Sequence, residues 1–376
     1  MNKQRKKLQD IRKMNKPTSL YIHIPFCDHI CDYCDFTKLQ YFRMFAVNYL
    51  KALKQEIDSY HIGELKTIYV GGGTPTALED DLFLELLEII KPYTKGVIEY
   101  TFEANPESLS ENKINMMVKY GVNRVSIGVQ STNDEILKHI NRKHTFSDVK
   151  KAIQLLHDKG LHNINVDLIL GLPHTSDKYL IEDLNNIIAL NISHVSCYSL
   201  TIHPHTVLYS KGFKELDDDA MRHYYDIVQR FLSSDNFIHY EVSNWAKEGK
   251  ESLHNLTYWK NEQYHGVGLG ASGYIGDIRY KNTINLTKYL KGDFLEEKES
   301  VSKKDKFVYD VMLNLRTIFG LDLNRVLKEY GIDLLKTKEK EILAMMKEDY
   351  LFCKNGCLCP TYKGMMILDT IILQLI

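Results

Sequence analysis

Short apolar runs alternate along this chain with longer amphipathic stretches. Residues 19–24 (SLYIHI) form a compact apolar run that stops at Pro25, which reads as a strand. Over residues 44–60, Val47, Leu50, Leu53 and Ile57 recur near i, i+3, i+4 spacing, the period of one helix face. The same alternation continues. The pattern predicts strands at 67–73, 98–105, 124–131, 163–173 and 194–200, and helices between them at 82–93, 110–121, 146–160 and 180–190. Ser110 supplies an N-cap, while Gly121 and Gly160 stop two of these helices.

Repeated strand–helix units argue for a parallel sheet with right-handed crossovers. At 376 residues, the natural closure is an α/β fold, a partial (β/α)6 barrel of the TIM type. In each repeat the polar and glycine residues follow the strand. They therefore fall on the C-terminal rim, where such barrels carry their chemistry.

Past about residue 212 the rhythm changes. A helix is expected at 217–232, then the run 239–246 (HYEVSNWA), a loop holding 254–259 (HNLTYW), and a glycine-rich stretch at 266–276. From about residue 300 a charged helical tail follows, with helices at 303–316, 324–331 and 337–350. A hairpin at 351–364 turns near Gly356. The apolar run 364–376 is broken by Asp369 and too short to span a bilayer, so it reads as a buried helix. The expected organisation is a basic tail (1–16), a barrel (17–212), an extension (213–298) and a smaller α+β accessory domain (299–376).

Composition changes this picture little. Hydrophobic residues at 44% and charged residues at 26% are those of a soluble globular protein. With 48 Lys+Arg against 49 Asp+Glu, no basic excess points to nucleic acid. The first 16 residues are basic, yet no apolar stretch follows them. They read as a solvated terminus, with contact to an anionic surface as the alternative. A cytoplasmic location is expected.

The cysteines change it most. Cys27, Cys31 and Cys34 stand in a Cys-x3-Cys-x2-Cys run. Three thiolates in one loop are one short of a closed four-ligand site, and a [4Fe–4S] cluster held this way keeps one iron open. A zinc site would need a fourth ligand, for which His29 is the only near candidate. Clustered cysteines in a reducing compartment point to metal rather than to disulfides. Cys197 reads as a buried small hydrophobe. Cys353, Cys357 and Cys359 form a second run with different spacing, read as structural.

The run 21–36 (YIHIPFCDHICDYCDF) resembles the signature of radical S-adenosylmethionine (radical SAM) proteins. More narrowly it is similar to the oxygen-independent coproporphyrinogen III oxidase group. The likeness continues through GGGTPT (71–76), FEANPE (102–107), RVSIGVQS (124–131), NVDLILGLP (165–173) and YEVSNWA (240–246), in order and over most of the chain. It implies a [4Fe–4S] cluster on Cys27, Cys31 and Cys34, with S-adenosylmethionine as exchangeable ligand of the open iron. It implies that Gly71, Gly72 and Gly73 meet the methionine amino group. It also implies that Tyr21, Glu103, Gln130, Arg142 and Asp167 line the S-adenosylmethionine positions, Arg142 offering a planar fork for a carboxylate.

HNLTYW resembles the hallmark of the HemW-like heme chaperones within this group. By that resemblance His254, Asn255, Tyr258 and Trp259 handle heme, an imidazole being a common axial ligand and aromatics offering flat apolar surface. Read from the residues alone, the segment is a loop with a polar histidine and two packing aromatics. The porphyrinogen dehydrogenase carries a further cysteine two residues past the third ligand, where this chain has Phe36, and a longer segment ahead of the cluster than the 26 residues before Cys27. These departures favour the chaperone branch. The resemblance then implies heme as cargo, acceptor hemoproteins such as membrane-bound respiratory proteins as partners, and peripheral membrane association through them. The dehydrogenase, or an iron–sulfur interaction protein without turnover, stands as the alternative, and a dimer is allowed.

Overall fold

The structure is a computed structural model that describes residues 17–376; the basic run 1–16 lies outside the described residues. Its centre is a nine-stranded sheet. The strands are β1 (Ser19–Ile24), β2 (Thr67–Gly72), β3 (Glu99–Ala104), β4 (Arg124–Gln130), β5 (Ile164–Leu170), β6 (His194–Ser199), β7 (Ile238–Glu241), β8 (Asn244–Ala246) and β9 (His265–Val267). Their order is β9-β1-β2-β3-β4-β5-β6-β8-β7. The seven strands from β9 to β6 run parallel. β8 pairs antiparallel with both β6 and β7.

Period-two alternation sorts each strand into two faces. Ile22, Val70, Phe102 and Val125 stand side by side in register and are fully buried. With their neighbours they form one apolar core beneath the helices. The other face is polar: Tyr21 pairs with Tyr69, Glu103 with Ser126, and Gly128 with Asp167. A half-closed barrel with a polar inner wall is the result.

The crossover helices are α1 (Arg43–Asp58), α2 (Asp80–Ile90), α3 (Glu111–Lys119), α4 (Asp134–His139), α5 (Phe146–Asp158) and α6 (Asp177–Ile188). Ser110 caps α3 through Lys113 N, and Thr145 with Asp148 closes a capping box on α5. Such caps contribute about 1 kcal/mol each. α7 (Asp218–Ser234) follows β6.

The expected loop at HNLTYW is a helix, α8 (Leu253–Trp259), capped by Ser252, whose hydroxyl accepts from Asn255 N. Beyond β9, two small antiparallel sheets stand apart from the main one. A second apolar cluster gathers Phe307, Val311, Val326, Leu358 and Ile372 from the last quarter of the chain. There β10 (Leu351–Lys354) and β11 (Cys357–Pro360) form an antiparallel hairpin. Asn355 and Gly356 both have positive φ, as a tight two-residue turn requires. Among the described residues, no helix is long and apolar enough to cross a membrane.

Candidate functional site

A cleft of about 360 Å³ opens on the C-terminal rim of the sheet. Cys27, Cys31 and Cys34 line it together with Gly72, Gly73, Glu103, Asn105, Gln130, Arg142 and Asp167. These come from the ends of β1 to β5 and from the segment between α4 and α5.

The cysteine loop is closed at its base. Phe26–Cys27 pairs with Leu39–Gln40, and Tyr41 N donates to Cys27 O at 2.9 Å. Inside the loop, Asp32 N donates to Ile140 O at 3.1 Å and the Asp32 carboxylate meets Lys211 Nζ at 2.5 Å. The loop is therefore tied down at several points. All three cysteines are free thiols. Burial pushes the Cys27 thiol up to about 12, against the hydrogen bond from Thr74. Burial also raises Cys34. Thiolates held here would need a positive partner, which a metal would supply. Arg142 Nη1 reaches Cys31 Sγ at 3.6 Å. Among the described residues, no three His, Cys, Asp or Glu side chains gather about a single-ion position. Three free thiols on one loop, all lining the same cleft, are the donor set of a [4Fe–4S] cluster, one thiolate to each of three irons.

The glycine run serves close packing first. A Cβ on Gly71 would lie 2.6 Å from the Glu103 carboxylate. Gly72 has φ +116° and sits against the His23 ring, and Gly73 leaves room for Cys27 Sγ. Gly72 and Gly73 line the cleft.

Glu103 accepts from Tyr69 Oη at 2.8 Å and from Gly72 N at 2.9 Å. Burial nonetheless raises its carboxyl to about 7. Asp167, raised by burial, accepts from Asn165 Nδ2 at 2.7 Å and from Ser126 Oγ at 3.2 Å. Gln130 has φ +68° at a register shift in β4, an unusual backbone for a side chain other than glycine. Arg142 donates to Asn105 Oδ1 at 3.0 Å and to Gly128 O, while its Nε has no partner. Tyr21 stands behind this wall: its hydroxyl donates to His23 Nδ1 at 2.9 Å, and His23 Nε2 donates to Thr37 O at 2.8 Å. Burial lowers His23 to about 4, so it is neutral.

Tyr69 and Asn105 line the cleft and His23 stands behind it; Asn105 and His23 lie inside the quoted motifs but carry no assigned role there, and Tyr69 lies outside all of them. Tyr69 lies two residues before Gly71 on the inner face, and that alternation is its one signal.

The HNLTYW residues lie elsewhere, beneath the opposite end of the sheet. The N-terminus of α8 sits on Glu99 at the start of β3: Leu253 N and His254 N each donate to its carboxylate at 2.8 Å. His254 is fully buried and held within a directed chain. Thr67 Oγ1 donates to Ser19 Oγ at 2.9 Å, so it accepts from His254 Nδ1 at 2.8 Å. His254 Nε2 then accepts from Tyr258 Oη at 2.8 Å. Burial lowers the imidazole to about 3. Trp259 packs against Tyr240, Ala246 and Leu256, and Asn255 is half-buried. None of these four residues lines the cleft. The two regions are joined through Tyr69: the His254 ring packs on it at 5.3 Å, and Tyr69 holds Glu103.

Over residues 21–187 the chain matches the radical SAM superfamily. Over 370 residues it is 36% identical to the heme chaperone HemW of Lactococcus lactis, covering 93% of this chain and 95% of that one. The chain belongs to the HemW heme chaperone family. Identity to HemW of Bacillus subtilis is 39% over 332 residues, covering 84% of this chain and 88% of the relative. The fold is shared more widely. The coproporphyrinogen III oxidase HemN of Escherichia coli superposes with a TM-score of 0.86, covering 100% of this chain and 93% of that one, at 21% identity. That likeness shows the α/β fold alone. Within the HemW family, this chain presents Phe36 beside the cluster loop, 71% exposed at the cleft.

Proposed function

We propose that the protein is a heme chaperone that binds heme, a [4Fe–4S] cluster and S-adenosylmethionine, and passes heme to acceptor hemoproteins such as respiratory-chain components. The observation that carries this reading is identity to HemW proteins along nearly the whole chain, rather than over the radical SAM region alone.

In this reading Cys27, Cys31 and Cys34 would hold the cluster and leave it open to S-adenosylmethionine. When bound, the reduced cluster supplies an electron that can cleave the sulfonium of that ligand. The chain's own residues position it. Glu103 offers a carboxylate beside the Gly72 backbone for the amino group. Asp167, Gln130 and Arg142 complete the polar wall, with Tyr21 behind them. The chain divides in function as a barrel (17–212), an extension carrying HNLTYW (213–298) and an accessory unit (299–376). It works in the cytoplasm and meets membranes through its acceptors. HNLTYW serves heme handling from below the barrel, by shaping the wall through Tyr69 rather than by offering an open ligand.

Anaerobic reconstitution followed by two assays tests the reading. Heme titration should saturate with a defined Soret band, and coproporphyrinogen III should be returned unchanged. Turnover to protoporphyrinogen with no heme uptake would overturn the proposal in favour of the dehydrogenase.

A further inference from the structure

None of the residues of YEVSNWA (240–246) lines the cleft, yet the first of them is connected to it. Tyr240 on β7 is fully buried, packed with Ala246, Leu256 and Trp259. Its hydroxyl lies 3.2 Å from the backbone nitrogen of Ser252, the N-cap of α8, and 2.8 Å from His194 Nε2. His194 opens β6 and is fully buried too, with its Nδ1 2.6 Å from Asn165 Oδ1. Asn165 stands between His194 and Ser126 in strand register. Asp167 follows two residues along β5 on the same face, and it lines the cleft. Asn165 Nδ2 donates to Asp167 Oδ1 and to Ser126 Oγ, each at 2.7 Å. Ser126 Oγ donates in turn to Asp167 Oδ2 at 3.2 Å. A continuous chain of hydrogen bonds thus runs from the start of α8 to the cleft wall.

The chain has one direction. A backbone N–H only donates, so Tyr240 Oη accepts from Ser252 and gives its own proton to His194 Nε2. Burial, reinforced by the charge of Arg124, holds His194 well below its ordinary range, so the ring is neutral. A neutral imidazole that accepts at one nitrogen donates at the other. His194 therefore carries its proton on Nδ1 and donates it to Asn165 Oδ1. The opposite end dictates the same order. The Asp167 carboxylate only accepts, so Asn165 turns its Nδ2 toward Asp167 and its Oδ1 toward His194. The other tautomer of His194 would set two lone pairs against each other at 2.6 Å, or turn the Asn165 amide over and put its oxygen against Asp167. The Nδ1–H form is the condition under which Asp167 keeps the Asn165 donor.

We propose that His194, locked in one tautomer by Tyr240, is a positioning residue for S-adenosylmethionine: through Asn165 it holds the Asp167 carboxylate as an acceptor facing the ligand. The assignment rests on the S-adenosylmethionine reading of the cleft and gives YEVSNWA a part in it.

Two measurements on the full chain test it. With isotopically labelled histidine, nitrogen NMR of the wild type should show His194 as the Nδ1–H tautomer, and Tyr240→Phe should lose that preference. An Nε2–H signature in the wild type would overturn the proposal. Calorimetric titration of the cluster-loaded chain with S-adenosylmethionine should show about tenfold weaker binding in Tyr240→Phe. Adding Tyr240→Phe to Asp167→Ala should cause no further loss, because the two act in series. His194→Leu should follow the same pattern. Cluster absorbance should match wild type throughout, since none of these residues lies in the cysteine loop. An equal loss in both backgrounds, or none in Tyr240→Phe, would overturn the assignment and leave the S-adenosylmethionine reading standing. A cluster-loaded wild type that binds no S-adenosylmethionine would sink both.

Discussion

Glu103 is held between two demands. Its burial favours the neutral acid, while Tyr69 and Gly72 donate to it and favour the carboxylate; burial wins and sets the group at about 7 against an ordinary 4.5. A carboxyl raised on folding contributes stability that is present below its unfolded value and is lost as pH rises through the folded one. The ligand-free protein should therefore lose stability between about pH 4.5 and about pH 7, and Glu103→Gln should remove that part of the slope. Thermal melts of both chains across this range check it; parallel curves would refute it. Ligand affinity should run the other way. The amino group of S-adenosylmethionine pairs best with the ionised acid, so calorimetry should show tighter binding above about pH 7 in wild type and little pH dependence in Glu103→Gln. At the cluster, Cys31→Ser should abolish the visible iron–sulfur absorbance, because two remaining thiolates cannot hold the cube. Full iron loading of that variant would remove Cys31 from the ligand set.

At the scale of elements, α8 is a plug. His254→Ala would leave Thr67 and Tyr258 without their partner and open a cavity under the sheet. The expected loss is about 2–4 kcal/mol in chemical denaturation. Tyr69 would also lose the ring it leans on, so S-adenosylmethionine binding should weaken while cluster absorbance persists. Equal stability and equal affinity would show the directed chain to be idle. The β10–β11 hairpin has the opposite character: replacing Cys353, Cys357 and Cys359 together with serine should leave iron content unchanged, and a drop would reveal a second metal site. The six central strands are legible in the sequence because each is a six- or seven-residue run with the strand period, and β1, β2, β3 and β5 stop at or within two residues of a proline or glycine. β9 is not, since it has only three residues with a glycine at its centre. α8 is not, because seven residues carry too little periodicity to separate helix from loop. The cysteine loop can be read locally. The polar wall cannot: Tyr69, Glu103 and Asn165 come together only through strand register, and Glu103 and Asp167 enter through family resemblance.

Over the whole molecule, two features of different reach determine the reading. The fold is common to HemN and to this chain, and a fold alone does not assign an activity. Identity to HemW extends through the extension and the last quarter of the chain, where the second apolar core lies. The half-barrel offers a cleft lined by the three cysteines of the loop and the polar wall of the sheet. The most direct test of the central claim is a transfer experiment. The reconstituted, heme-loaded protein is mixed anaerobically with an apo-hemoprotein, the two are separated, and heme is quantified in each. Movement of heme to the acceptor, faster than from hemin bound to albumin and without conversion of coproporphyrinogen III, is the predicted result. Heme that stays on the chain, together with decarboxylation of coproporphyrinogen III, would contradict it.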